Sequence, residues 1–461
     1  MQNDTPGVLG IIRKKIFITD VPRYGNSIFY SLGFLGLVCF AILLGTGLVM
    51  VFEGSAWWTI NFWGILFRSI HLWAAQAFVL IILLHLLVVF ATSGFKHPRR
   101  LTWTLGAIVL VFLLLEAEFG YYLRGDFSSQ YRALQGADFW NGAYLGYYIN
   151  TLNHLQVFGL HIVILPLIML GLLLTHYLLV KARGIASPYR QDVRVPIVPA
   201  NHTKLFVRGG VLVVCIVVLA IIFPSPLITP ATIASVAADD AAGVAQTLIA
   251  EFNHTSDTAT YFDSIDPYTF NTRTVYIVKP YDQYVALAGG PNELTVFFAE
   301  SAAQQKSDIT TAEAYFQGAS VATSTIGNPF LSVITSLVHM SSSGTYQAVV
   351  DAEAPTIAPT YSLRFLDDTG VMDDEASDLH ITTDQWGMIH EEGRSVPPGA
   401  WWLAPLGVLD HTVLANDPNG DRDGAEILGA LVLLLILFPY IPYLNRVPEK
   451  LHLATFFWRR K

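Results

Sequence analysis

Cysteine is nearly absent: the 461 residues hold two, Cys39 and Cys215, both inside apolar runs. That excludes a disulfide framework, and without a Cys-x-x-Cys-His run no c-type haem can be attached covalently. Charge is also scarce, at 14% against 53% hydrophobic residues, which excludes an ordinary soluble globular protein. Basic residues almost vanish from 227–425, where 26 Asp and Glu face 6 Lys and Arg. No basic stripe suited to nucleic acid exists there, and no nucleic-acid partner is expected. Met1–Asp20 has no apolar core, so no signal peptide is expected.

Long apolar runs are plentiful. Stretches at about 28–52, 70–92, 104–123, 154–180, 205–226 and 427–444 are each long enough to span a bilayer. The basic clusters Arg13-Lys14-Lys15, Lys96 with Arg99-Arg100, Lys181 to Arg194 and Arg459-Arg460-Lys461 then fall on one side. The positive-inside rule makes that side the cytoplasm, with both termini inside and residues 227–425 outside. Four regions follow: a four-helix domain at 1–200, a fifth span at 201–226, an inserted domain at 227–396, and an outer loop with a sixth span at 397–461. Alternating runs at Thr274–Val278 and Leu294–Phe298 suggest strands, and the Ala-rich stretch 238–252 suggests a helix. The fold class is an all-α membrane protein, a four-helix bundle plus two further transmembrane helices, carrying an α+β extracytoplasmic domain.

Four histidines lie in the apolar runs as two pairs. His71 and His85 are 14 residues apart, and His161 and His176 are 15 apart. At ~100° per residue each pair returns to one helix face, separated by roughly 21–23 Å of rise. A single histidine on an apolar face is usually a satisfied core residue, but ionisable groups within a membrane mark function. Two facing helices of this kind offer two bis-imidazole sites, His71 with His161 near the outer face and His85 with His176 near the inner. They suit two stacked, non-covalent b-type haems. Bis-histidine iron has no open position, which favours electron transfer. The two other helices carry glycines at a matching period, Gly33 and Gly47, then Gly106 and Gly120. Missing side chains allow the close approach a flat macrocycle needs. Small-residue helix packing is the competing explanation for each glycine alone. Arg68, one turn before His71, is placed to neutralise a haem propionate.

These motifs resemble the cytochrome b family of bc1/b6f-type quinol oxidoreductases. The resemblance rests on Arg68-Ser-Ile-His71-Leu-Trp73, Gly94-Phe-Lys-His-Pro-Arg-Arg-Leu-Thr-Trp103 and His161-Ile-Val-Ile-Leu-Pro166. The 15-residue second spacing and Gly184-Ile-Ala-Ser-Pro188 are similar to the b6f branch. The resemblance implies a subunit that moves electrons from membrane quinol through the two b haems with coupled proton transfer. It further implies a prokaryotic plasma membrane, a Rieske-type iron–sulfur or cytochrome partner, and a homodimer within a larger complex.

Several positions depart from the family pattern. Ser31 follows Phe29-Tyr30 where the b6f branch has a cysteine for an extra haem, so no third haem is expected. Leu123-Arg-Gly-Asp-Phe127 replaces the family's Pro-Trp-Asp/Gly-Gln. Gly399-Ala-Trp-Trp402 resembles the Pro-Glu-Trp-Tyr motif, but Ala400 cannot accept a proton. An interfacial aromatic belt would also account for Trp401 and Trp402. Glu116 and Glu118, at the outer end of the third span, are the candidate catalytic carboxylates. Glu118 can replace the missing glutamate as proton acceptor, whereas pairing with Arg124 or another arginine is the structural alternative. Asp417 to Asp423 resembles the start of a calcium loop, without the bidentate twelfth residue, and a solvated turn is the competing account. Two other functions remain: a transmembrane electron conduit with quinone chemistry only at the inner haem, or a membrane anchor for the 227–396 domain.

Overall fold

The computed structural model describes residues 18–185, 196–261, 270–318, 327–353, 361–387, 389–390 and 396–457. The basic runs at 13–15 and 459–461, and the motif residues 186–188, lie outside them. Among the described residues six helices are long and apolar enough to cross a membrane: α1 (Leu32–Glu53), α2 (Phe62–Ala91), α3 (Arg100–Tyr122), α5 (His154–Arg183), α6 (His202–Ile222) and α10 (Gly420–Tyr440). The expected six spans are therefore present, and α2 begins eight residues earlier than the hydropathy run, with Asn61 accepting from the Trp63 amide as its cap.

Helix α1 packs along α2, α3 along α5, and α6 against α2. The last span rests on α3, where Trp103 Nε1 donates to the Leu435 carbonyl at 2.8 Å. The basic end is closed by a short antiparallel ladder between Asp20–Pro22 and Ile197–Pro199. At the same end Arg99 donates to the Arg183 and Ile185 carbonyls, and Lys96 pairs with Glu449. The described members of the basic clusters thus share one end of the bundle.

Helix α5 has a wide π turn at Leu160–Ile164, around His161. Pro166 follows it: proline has no N–H and its ring crowds the preceding turn, so the local hydrogen bonds lengthen their reach.

Among its described residues the inserted region is helical and holds no strand, which corrects the α+β expectation for them. Its helices include α7 (Ala241–Asn253), α8 (Pro329–Ser342) and α9 (Tyr361–Asp368). The predicted strand at Thr274–Val278 is a π turn, Arg273–Val278, again just before a proline, Pro280. The predicted strand at Leu294–Phe298 lies in the helix Glu293–Ala299, capped by Asn292. Period-two alternation over five residues is too short to separate strand from helix. The helix expected at 238–252 is α7.

The outer loop 124–150 holds a helix that composition did not single out, α4 (Phe127–Gly142), opened by an Asp126–Ser129 capping box. Its apolar face joins the core of the insert: Phe127, Tyr131, Leu134 and Ala137 are buried with Phe330, Ile334 and Leu337 of α8. Gln130 fixes the contact, donating to the Ala231 carbonyl at 2.9 Å and accepting from its amide at 2.8 Å. The insert and the outer loop therefore share one hydrophobic core across the boundary expected between them.

Candidate functional site

The four histidines meet the four glycines one to one. A Cβ on Gly47 would lie 3.4 Å from His71 Cε1, and one on Gly33 would lie 3.7 Å from His85 Cε1. On α3 the fit is tighter: 2.9 Å from Gly120 to His161 Cε1, and 3.0 Å from Gly106 to His176 Cε1. Thus α1 clears space for the α2 histidines and α3 for those on α5, at two levels. The glycines face the imidazoles directly, so their first service is to the histidine rings.

At the outer level the His71 and His161 ring centres are 6.2 Å apart. Metal–imidazole bonds run ~2 Å, so two rings on opposite sides of one metal sit roughly 6 Å apart centre to centre. Between them opens a cavity of 840 Å³, lined by His71, His161, Gly47, Gly120, Arg68 and Glu116. His85 and His176 interact electrostatically at the inner level. A flat group carrying an iron between paired imidazoles fits these residues: the spacing of the outer rings suits it and the glycines leave the space open.

The far ring nitrogens of His71 and His161 are held by oxygens. Thr46 Oγ1 lies 2.9 Å from His71 Nδ1, and the Glu116 carbonyl lies 3.1 Å from His161 Nδ1. His176 Nδ1 is buried with no hydrogen-bond partner among the described residues. Glu116 stands four residues before Gly120, the glycine that faces the same histidine. An Nδ1–H engaged this way leaves Nε2 free for a metal.

Arg68 is buried beside the cavity and donates to the Ser225 and Pro226 carbonyls at 2.6 and 2.9 Å. Arg124, also buried, donates to the same Pro226 carbonyl at 2.6 Å and pairs with Asp126 at 2.6 Å. Two guanidinium groups therefore converge on one edge of the cavity, tying it to the outer end of α6.

The two candidate carboxylates separate. Glu116 lies against His161, with Oε1 3.2 Å from Nδ1. Glu118 faces another way and accepts from Trp402 Nε1 at 2.9 Å. Around Glu118 a polar cluster forms. Gln76 Nε2 donates to Tyr121 Oη at 3.0 Å, the Pro398 carbonyl at 2.8 Å and the Gly399 carbonyl at 3.1 Å. Gln76 Oε1 accepts from Trp401 Nε1 at 2.8 Å. The Arg132 guanidinium lies over the Tyr121 ring at 4.2 Å, and its charge acts on Glu118. Trp401 and Trp402 are thus pinned to α2 and α3 by their indole N–H groups, which replaces the aromatic-belt account. Sequence reasoning missed Gln76 and Arg132. An amide within an apolar span, five residues after His71, was the available signal for Gln76.

Ser31, at the position of the extra-haem cysteine, is buried and bonded to Arg208. The stretch resembling a calcium loop is the start of α10. Asp417 Oδ1 accepts from the Asn419 amide at 2.9 Å, and Asp423 pairs with Arg422, so these carboxylates do not converge on a shared point. No cluster of three potential metal-ligating residues occurs among the described residues.

Residues 76–230 match the family model described as cytochrome b(N-terminal)/b6/petB. Cytochrome b6 of Heliobacterium modesticaldum is 32% identical over 210 residues, which are 41% of this chain and 98% of the relative. Cytochrome b6 of Synechococcus elongatus is 30% identical over 199 residues, 36% of this chain and 88% of the relative. A solved structure titled hyperthermophilic respiratory Complex III aligns over 97% of this chain and 98% of its own at 18% identity, with a TM-score of 0.43. The family model spans His85, His161 and His176, and relatives at 30% identity or more are matched over nearly their whole length, so the chain belongs to the cytochrome b family, with a large helical insertion before its last span.

Proposed function

We propose that this protein is the dihaem cytochrome b subunit of a respiratory quinol oxidoreductase, with one b haem between His71 and His161 and another between His85 and His176. The observation that carries the reading is the one-to-one clearance of four imidazoles by four glycines. Haems bound there would supply one-electron transfer between the two levels of the bundle. The protein's own residues do the rest. The paired imidazoles would hold the iron, and Arg68 with Arg124 would supply positive charge at the outer edge of the cavity for haem carboxylates.

Quinol oxidation releases two electrons and two protons, so the outer site needs a proton acceptor. Glu118 has that role in this reading. It is held by Trp402, while Gln76 anchors the loop that carries Trp402. Trp401 and Trp402 add apolar walls suited to a quinone ring. The positive-inside pattern puts the insert on the outer side, where its acidic balance would steer a basic or positively faced redox partner. A Rieske-type iron–sulfur or cytochrome subunit is the partner class, within a larger, dimeric complex.

The test is a reduced-minus-oxidised spectrum of the purified protein, followed by quinol titration with and without an outer-site inhibitor. Two b-type components reduced by quinol, with inhibitor-sensitive turnover, support the reading. A protein without haem contradicts it, and inhibitor-insensitive reduction confined to the inner haem turns it into a simple conduit.

A further inference from the structure

The histidines differ in what holds Nδ1. Thr46 presents a neutral hydroxyl to His71. That hydroxyl donates to the Ile42 carbonyl at 2.8 Å, so its oxygen is free to accept from the ring. His176 Nδ1 meets no hydrogen-bond partner among the described residues. His161 alone among these three meets a carboxylate, with Glu116 Oε1 at 3.2 Å beside the Glu116 carbonyl at 3.1 Å. Glu116 is half-buried, and its other oxygen, Oε2, is buried with no hydrogen-bond partner among the described residues. The ion-pair contact of this carboxylate among the described residues is with the His161 imidazole.

An Nδ1–H held by a carboxylate gives the imidazole partial imidazolate character. The opposite nitrogen, Nε2, then donates more strongly to a metal. Stronger donation stabilises oxidised iron over reduced iron and lowers its potential, a known lever of partners behind a metal ligand. A neutral hydroxyl or peptide carbonyl does this less. The same charge inside the low-dielectric bundle also disfavours placing an extra electron nearby.

We infer that Glu116 is a positioning and potential-setting residue for His161: its carboxylate lowers the reduction potential of the outer haem relative to the inner one. Glu116 touches the ligand, so it acts through His161. This inference rests on His161 being an iron ligand.

The experiment is an equilibrium redox titration of the full-length protein in its native complex, followed optically, for wild type, Glu116→Gln and His161→Ala. Glutamine keeps a hydrogen-bond acceptor and removes the charge. The expected result is an upward shift of one midpoint, that of the component missing in His161→Ala, while the other stays fixed. A merely structural role would not move one midpoint in one direction at full haem content. If Glu116→Gln loses haem, Glu116→Asp, which withdraws the carboxylate by one methylene, is expected to show a smaller rise in the same component. Full haem content with an unmoved midpoint in the retained variant overturns the inference while leaving the ligand assignment standing. Retention of both components in His161→Ala overturns the ligand assignment itself.

Discussion

Trp402 donates its indole N–H to Glu118 Oε1 across 2.9 Å, joining a loop after the insert to the third span, 284 positions away in sequence. In the proposed reading this contact gives the quinol site a carboxylate although Ala400 stands where the resembling motif has glutamate. Glu118→Gln and Trp402→Phe are therefore expected to slow quinol oxidation in the same way. A positioned acid or base is worth ~10²–10⁴-fold, so Glu118→Gln is expected to lose at least an order of magnitude in turnover with both haem spectra intact. The double variant is expected to be little slower than Glu118→Gln alone. Steady-state turnover of the three variants is the measurement, and additive losses would contradict a shared role.

The glycines on α3 are less replaceable than those on α1. Alanine at Gly120 or Gly106 puts a methyl within 2.9 or 3.0 Å of an imidazole, against 3.4 and 3.7 Å at Gly47 and Gly33. Overpacking of this kind costs about 1–3 kcal/mol, enough to lower haem retention severalfold or more. Haem per polypeptide is expected to fall in Gly120→Ala and Gly106→Ala and to stay near wild type in Gly33→Ala and Gly47→Ala. Equal loss in all four would mean that the macrocycle, rather than the histidine rings, sets the clearance.

The bundle was legible in the sequence because bilayer spans and a 14–15 residue histidine period leave few alternatives. His71, His85, His161, His176 and all four glycines lie at the levels their spacing implies. What escaped was tertiary. Glu116 and Glu118 are two residues apart, so a helix turns them through ~200°, and only packing decides that one meets His161 and the other Trp402. Gln76 acquires its role from carbonyls more than 300 residues away. The insert was misread where five-residue alternations mimicked strands, and α4 was passed over although Phe127, Tyr131 and Leu134 repeat at helical spacing.

Because α4 and the insert share one core, truncating α4 is expected to loosen both. Leu134 is 2% exposed in that core. Leu134→Ala is expected to cost about 2–5 kcal/mol and to raise protease sensitivity in the insert as well as in the outer loop. Deleting 230–394 would uncover Phe127 and Tyr131, so the outer loop should become protease-sensitive in that variant too. Limited proteolysis reads both. Cleavage confined to the outer loop in Leu134→Ala would show that the two fold separately.

The insert carries a buried carboxyl pair, Glu251 beside Asp368, with Asp257, Tyr276, Tyr346 and Arg364 nearby. Burial and the neighbouring carboxyl raise Glu251 well above its ordinary value of 4.5. The native state therefore keeps a proton that the unfolded chain releases above about pH 4.5. Stability of the insert is expected to be greatest in acid and to fall as pH rises from there. Glu251→Gln is expected to flatten that decline and to melt higher than wild type at pH 8. Calorimetry of the insert transition between pH 4 and pH 9 measures this, and an unchanged slope in Glu251→Gln would contradict it.

The pairing of histidines across α2 and α5 is the centre of the account, and redox spectra of four single variants test it most directly. His71→Ala and His161→Ala are expected to lose one and the same b-type component, and His85→Ala and His176→Ala the other. Loss of the same component in His71→Ala and His85→Ala would contradict the two-site arrangement.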